Sequence, residues 1–279
     1  MKILVTGSTG FIGEGVVSEL LKEGHEVIAT SRNEHTASFH DWFSSVHYKP
    51  YTIGSKDISD LYAYFEKPQA VIHCAWDNLH DYRGLHHVEE NLMNHYFFLK
   101  SIIESGVENV TVLGTCFEYG MKEGCLSETM NVTPSNPYGI GKNTLRVFLE
   151  MLQSVHDFSL KWIRLFYNYG KSNNSNSLFA QLDRAIAQHD SVFNMSDGNQ
   201  LRDYLLFDEL VKKIAAISVQ DRISGIINCC SGKPVRVIEL VEEYIRIKNS
   251  PIQLNRGYYN YSPMEPVHFW GDNTKLNTI

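Results

Sequence analysis

An α/β fold built on a doubly wound parallel sheet, with a smaller interleaved α/β lobe, is what this sequence predicts, and three observations carry it. A β-rich run leads through glycines into a helical pattern at the amino end, β-rich and helical stretches then alternate, and 279 residues suffice to bury a substantial core. The first observation is VTGSTGFIG, residues 5–13, which follows Ile3 and Leu4. From Phe11 to Glu23 apolar residues recur at Ile12, Val16, Val17, Leu20 and Leu21, the spacing of one helix face. Gly7, Gly10 and Gly13 therefore occupy a strand-to-helix turn. Such a turn aims unpaired backbone N–H groups and the positive end of a helix dipole outward, and bare glycines let a bulky anion approach. A diphosphate fits that description. Gly24 stops the helix, and His25 to Thr30 supply the second strand of a βαβ unit.

Further β-rich runs fall at 46–49, 69–74 (QAVIHC), 109–114 (NVTVLG) and 159–166 (SLKWIRLF), with helical patterns near 57–66, 87–105 and 138–153. Beyond Tyr167 the pattern changes to the polar run KSNNSNS, a helix-like segment to about Gln188 and a short strand at 191–195. A smaller lobe is predicted to start there. FDELVKKIAAISVQ then reads as a helix and GIINCCSG as a strand that rejoins the main sheet. The predicted division is 1–166 with a return of about 204–230 for the larger unit, and 167–203 with 231–279 for the smaller. No repeat or low-complexity region interrupts it. In sheets of this kind ligands bind at the carboxyl ends of strands, so residues just after strands are the first candidates.

Composition narrows the function. Lys and Arg number 25 against 32 Asp and Glu, a formal charge of −7, which argues against a general affinity for nucleic acid. The five cysteines, at 74, 116, 125, 229 and 230, form no CxxC pair, a usage that fits a reducing compartment. The first residues already read as a strand, with no leader pattern, and no apolar run approaches the roughly 18 residues of a membrane span. A cytoplasmic protein without membrane partners is expected, which discounts the NVT acceptor pattern at 131–133. The 12 histidines, His80, His86 and His87 among them, lack cysteine or carboxylate partners at ligand spacing, so no metal is expected.

The spacing Tyr-x-x-x-Lys puts both side chains on one helix face, where an ammonium lowers a phenol's pKa. It occurs at Tyr96/Lys100, Tyr138/Lys142, Tyr167/Lys171 and Tyr244/Lys248. Tyr96 lies in an aromatic run expected to pack on the sheet, Tyr167 ends a strand with Gly170 before its lysine, and Tyr244 sits in a late amphipathic helix. Tyr138 opens a helix after the loop that follows the 109–114 strand, and Thr115 stands at that strand's end. Only this pair has a hydroxyl partner placed by the sheet.

Eight motifs then follow in order: TGSTGFIG (6–13), DIS (57–59), VIHCAW (71–76), NLMNHYFFLKSI from Asn91, LGTCFEYG (113–120), PYGIGK (137–142), RLFYNYG (164–170) and GNQLRDYLLFDEL (198–210). Along nearly the whole chain they resemble the extended short-chain dehydrogenases/reductases, the branch of nucleotide-sugar epimerases, dehydratases and reductases on a Rossmann sheet. The resemblance implies a nicotinamide dinucleotide held by Gly7, Thr9, Gly10, Phe11, Ile12 and Gly13, by Ser31 and Arg32, by Asp57 and Ile58, by Cys74, Ala75 and Trp76, and by Asn91, Tyr138 and Lys142. It implies Tyr138 as the proton donor or acceptor, Lys142 as its pKa partner and ribose contact, and Thr115 as the hydroxyl that orients a substrate carbonyl. The substrate side takes Thr115, Cys116, Phe117, Tyr167, Asn168 and Arg202, the last on the sugar nucleotide's phosphates. Arg256 is either a second arm of that clamp or a solvated surface arginine.

Departures from the family pattern select a reaction. Where NAD-using relatives carry an acidic residue, this chain has Ser31 and Arg32, which favours NADP(H) and hence net reduction. Dehydratases of the family place Asp-Glu after the catalytic threonine; here Cys116 and Phe117 follow, and phenylalanine transfers no proton. Cys116 stands one residue short of the catalytic cysteine of the epimerising reductases, and on a strand that shift turns it to the other face, a packed thiol. Tyr167 replaces the usual asparagine, and Asn168 should point away from it. LGTCFEYG, RLFYNYG and EPVHFWGD look most like reductases of nucleotide-linked 4-keto-6-deoxyhexoses, such as CDP-abequose or CDP-paratose synthase and dTDP-fucose-forming enzymes, which serve bacterial surface polysaccharide. The resemblance leaves two other readings, an NAD-retaining 4-epimerase and a non-catalytic NADP sensor. It also implies a homodimer through helices at 87–105 and 138–153, and a chain ending before the terminal helix of longer relatives.

Overall fold

The computed structural model describes residues 1–170, 177–263 and 265–279, so Lys171 and most of KSNNSNS lie outside the described residues. Strand β1 (Lys2–Thr6) runs into α1 (Phe11–Lys22), and β2 (Glu26–Thr30), a short α2 (Glu34–Ala37), β3 (His47–Tyr48), a short α3 (Leu61–Tyr64) and β4 (Ala70–His73) follow. A π-helical turn at His87–Asn91 leads into α4 (Leu92–Glu104); β5 (Asn109–Thr115) ends in a 3-10 turn at Cys116–Tyr119. Next come β6 (Gly124–Leu126), α5 (Pro137–Leu152), β7 (Ser159–Leu165), β8 (Tyr167–Tyr169), α6 (Leu178–Ala187), β9 (Val192–Asn194) and β10 (Leu201–Leu206). The remainder is α7 (Phe207–Val219), β11 (Gly225–Cys229), β12 (Pro234–Arg236), α8 (Val237–Ile247), β13 (Gln253–Asn255) and β14 (Phe269–Gly271).

Seven strands form one parallel sheet in the order β11-β7-β5-β4-β1-β2-β3. Its strands read as continuous apolar runs because both faces are covered. Ile3 and Val5 pack with Val16, Leu20 and Ile214 on one side, while Leu4 packs with Leu99, Leu145 and Leu149 on the other. The strand order reverses between β1 and β4, which opens a crevice at their carboxyl ends. Strand β11 pairs with β7 at the sheet edge, so the GIINCCSG segment does rejoin it. Residues 204–206, counted with that return from the sequence, instead lie in β10, which pairs with β8 and β12 in a second sheet. The helix expected over 57–66 contracts to α3, because Asp60 caps it by accepting from the Ala63 N–H. Among the described residues no helix is long and apolar enough to cross a membrane.

A buried ionic network ties the middle of the sheet together. Glu118, wholly buried, accepts from the Thr115 N–H at 2.9 Å, the Trp162 indole at 2.9 Å and the Arg164 Nε at 2.7 Å. Arg164 in turn lies over the Tyr119 ring, and the Tyr119 hydroxyl donates to Asn228 on β11 at 2.7 Å. Removing one partner of such a pair strands a charge without solvent. Arg164→Met should cost about 3–5 kcal/mol in urea unfolding, and Glu118→Gln in the same chain should restore most of it.

Candidate active site

The glycine loop stands at the crevice. Gly7 has φ +64°, and a Cβ there would meet the Ala75 backbone at 2.8 Å; a Cβ on Gly13 would meet the Gly7 carbonyl at 2.1 Å. The close approach that glycine permits thus packs α1 against the loop. Gly10 caps α1 without a side-chain acceptor, so the first N–H groups of the helix are left for a ligand. A bare cradle at a helix start fits the diphosphate of a dinucleotide. Thr9, Phe11 and Ile12 are half-buried beside it, Phe11 against Phe207 with ring centroids 4.5 Å apart.

At the end of β2, Ser31 hydrogen-bonds the Tyr48 hydroxyl at 2.8 Å, and the exposed Arg32 pairs with Asp77 at 3.1 Å. Asp57 is exposed and accepts from Ser55, while Ile58 packs on the core. After β4 come Cys74, whose thiol burial pushes up to about 12, then Ala75, whose N–H donates to Thr6, and Trp76. Asn91 donates to the Asp77 carbonyl and closes this edge.

Helix α5 delivers Tyr138 and Lys142. Asn136 caps it by accepting from the Gly139 N–H at 2.8 Å, and Pro137 opens its first turn. Gly141 lets the helix approach the His87 carbonyl, which a Cβ would meet at 2.5 Å. Both side chains are buried, at 9% and 2% exposure. Burial raises the Tyr138 phenol well above its ordinary range, and Tyr82 adds to this; Thr115, as a side-chain hydrogen-bonding neighbour, pulls the other way. The Tyr-x-x-x-Lys spacing predicts Lys142 as the group that tunes this phenol. In the structure its ammonium donates to the Leu113 carbonyl at 2.8 Å and sits 4.1 Å from the Trp76 ring centroid. Burial pushes its pKa down to about 7, against the pull of Glu118 and Cys74.

Rings wall the phenol. Tyr82 stacks on Tyr138 with centroids 5.2 Å apart, Trp76 meets it edge-on at 6.4 Å and Phe117 at 6.2 Å. Trp76 donates to His87 Nδ1 at 3.0 Å, so His87 carries its proton on Nε2 and donates to the Asp81 carbonyl at 2.9 Å. Behind Trp76 the buried pair His73 and His95 share a 2.7 Å hydrogen bond. Burial keeps both neutral, His95 at about 3. Sequence reasoning singled out neither Tyr82 nor Glu118 nor His87's role; the T-x-x-E spacing of Thr115 and Glu118, a capping box, was the available signal for Glu118.

Cys116 departs from the expected strand setting. It does not continue the strand, because Thr115 caps a 3-10 turn that begins at Cys116, so strand alternation does not govern it. It is nonetheless packed, with Tyr119, Phe166 and Phe269, and burial pushes its thiol up to about 12. Tyr167 donates to Glu265 at 2.6 Å, and Tyr167 and Tyr169 both pack on Tyr204, with Asn168 between them in the strand. Arg202 is 6% exposed and engaged with Glu265. Arg256 donates to the Asp197 carbonyl at 2.8 Å. The other Tyr-x-x-x-Lys pairs are structural where described: Tyr96 packs on Phe148 and Lys100 pairs with Glu104, while Tyr244 and Lys248 both engage Asp183.

Residues 3–230 match the NAD dependent epimerase/dehydratase family. The chain belongs to that family. It is 32% identical over 97% of its length, and 99% of the relative's, to a dTDP-6-deoxy-L-talose 4-dehydrogenase (NAD(+)) of Aggregatibacter actinomycetemcomitans. A UDP-glucose 4-epimerase of Mycolicibacterium smegmatis is 28% identical over 76% of this chain and 71% of its own. In fold the chain matches a UDP-glucuronic acid 4-epimerase from Bacillus cereus solved in complex with NAD, with a TM-score of 0.83 at 22% identity over 100% of this chain and 90% of that one.

Helix α5 thus buries Lys142 with a pKa below its unfolded value of 10.5, at about 7. Between those values the unfolded chain holds the extra proton, so stability rises with pH across the window and the full penalty applies below it. Lys142→Met should therefore stabilise the protein, most below pH 7 and progressively less toward 10.5, as urea midpoints across pH will measure.

Proposed function

We propose that this protein is an oxidoreductase that reduces the 4-keto group of a nucleotide-linked 4-keto-6-deoxyhexose, with NADP(H) as its favoured dinucleotide. The observation that carries this reading is the surroundings of Tyr138: a phenol kept protonated by burial, the Thr115 hydroxyl beside it, and the Phe117 ring where elimination of water would need an acid. The nicotinamide, when bound, supplies the hydride. Tyr138 gives its proton to the oxygen on which charge develops, and Thr115 holds that oxygen. Lys142, one turn along the same helix, contributes a cation to the face on which the phenolate forms.

The 4-dehydrogenase relative supports the choice of carbon. Oxidation at position 4 of a dTDP-6-deoxyhexose and reduction of the corresponding 4-keto sugar are one equilibrium named from opposite ends, so dTDP is the first nucleotide to test. Arg32, 69% exposed on its side chain at the end of β2, supports NADP(H) through its fit to a 2′-phosphate. Two observations favour a second reading, an NAD-retaining 4-epimerase: Arg32 already pairs with Asp77, and the mycobacterial relative carries that activity in its name. The proposal extends to a homodimer through α4 and α5, on which Phe97, Val147 and Met151 are exposed.

Purified protein mixed with NADPH or NADH and a panel of dTDP-, CDP- and GDP-4-keto-6-deoxyhexoses, followed by the absorbance of the reduced nicotinamide, tests both. Consumption with one nucleotide class is expected, with Tyr138→Phe lowering kcat by about 10²–10⁴-fold. Arg32→Ala should raise KM for NADPH and spare NADH. No consumption across the panel, with NAD released on denaturation, replaces the reductase by the epimerase.

A further inference from the structure

Arg202 is sealed by a segment far along the chain. One of its terminal nitrogens donates to the carbonyls of Leu201 at 2.9 Å and Val267 at 2.8 Å, and the other reaches the Glu265 carboxylate at 3.2 Å. The same carboxylate oxygen accepts from the Tyr167 hydroxyl at 2.6 Å, and Phe269 covers the guanidinium face at 4.5 Å. The segment is pinned just beyond Glu265, since the Val267 N–H donates to Glu123 and His268 accepts from the Leu201 N–H. Yet Glu265 differs from its partner in exposure: its side chain keeps 26% of its surface in solvent, against 7% for that of Arg202. A carboxylate with a path to water therefore occupies a permanently charged guanidinium that has almost none.

Glu265 also stands near the end of β5: its partner Tyr167 packs against the cluster that holds Cys116 and Phe269. Its charge bears on the Cys116 thiol and the Tyr82 phenol, and Tyr82 is the ring stacked on Tyr138. A carboxylate and a phosphate oxygen make the same charge-assisted bond to arginine, and the buried guanidinium offers little room for both.

We propose that Glu265 is an affinity-determining residue of the substrate site: its carboxylate holds, on Arg202, the place that a phosphate of an incoming nucleoside diphosphate takes. Binding is then an exchange of one anion for another, with Tyr167 retaining Glu265 until the ligand arrives and the carboxylate passing into water afterwards. The ligand's affinity is lower by the strength of the contact it must break. This inference rests on the reading of Arg202 as the phosphate contact of the proposed reductase.

Calorimetric titration of dTDP into the full chain tests it, wild type against Glu265→Gln and Glu265→Ala, with NADPH binding measured in parallel to verify that each variant is folded. Both variants should bind dTDP about tenfold more tightly than wild type, the gain from releasing one charge-assisted hydrogen bond, and NADPH binding should not move. Either variant that binds NADPH normally while holding dTDP no more tightly than wild type overturns the proposal, as does a lack of dTDP binding to all three proteins. Tighter dTDP binding by the variants, without turnover of any 4-keto-6-deoxyhexose nucleotide, retains the exchange and removes the reductase reading.

Discussion

The carboxylate of Glu118 is the fixed point of this molecule. It is wholly buried in the turn that follows β5, and an ion there persists only when its hydrogen bonds are complete. Thr115 N–H, Trp162 and Arg164 complete them, which joins the end of β5 to two successive inward positions of β7. The geometry of Thr115 follows. Its backbone is committed to Glu118 and its hydroxyl accepts from the Phe117 N–H at 3.3 Å, so the strand turns sharply where a regular strand would have continued. Phe117 is thereby carried against Tyr138, and Cys116 into the core.

A second constraint comes from Lys142. An ammonium at 2% exposure needs an acceptor and a polarisable face, and the Leu113 carbonyl and the Trp76 ring supply them. Trp76 is fixed from behind by His95, stacked at 4.6 Å, and along its edge by His87. Those histidines are neutral because burial and the nearby lysine both oppose a second positive charge. The aromatic wall and the buried cation therefore stabilise one another, and Tyr138 takes its position from both.

What was legible in the sequence is what short spacing encodes. Gly7, Gly10 and Gly13 announce a strand-to-helix turn, and Tyr138 with Lys142 sit one helical turn apart, so local pattern alone brings them together. Glu118 was half legible, since T-x-x-E marks a cap but not the buried arginine 46 residues away that makes it an ion pair. Tyr82 and Glu265 lie in irregular segments without periodicity, and their partners Tyr138 and Tyr167 come from other elements. The expected face for Cys116 failed for a related reason: alternation holds only while a strand continues, and the cap at Thr115 ends it. The helix over 57–66 was overdrawn because its first residues lack an apolar face and Asp60 starts the turn late.

The pairing of β14 with β6 joins residues 269–271 to 124–126 in parallel register, and β10 joins β8 across the segment between them. Contacts so distant in sequence form late, because loop closure must be met before they repay it. During synthesis the glycine loop, β1 to β5 and the helix bearing Tyr138 all emerge before Glu265 and Phe269 are made. A partly synthesised chain can therefore own its glycine loop while Arg202 still lacks its cover, and the two are separated in time as well as in sequence.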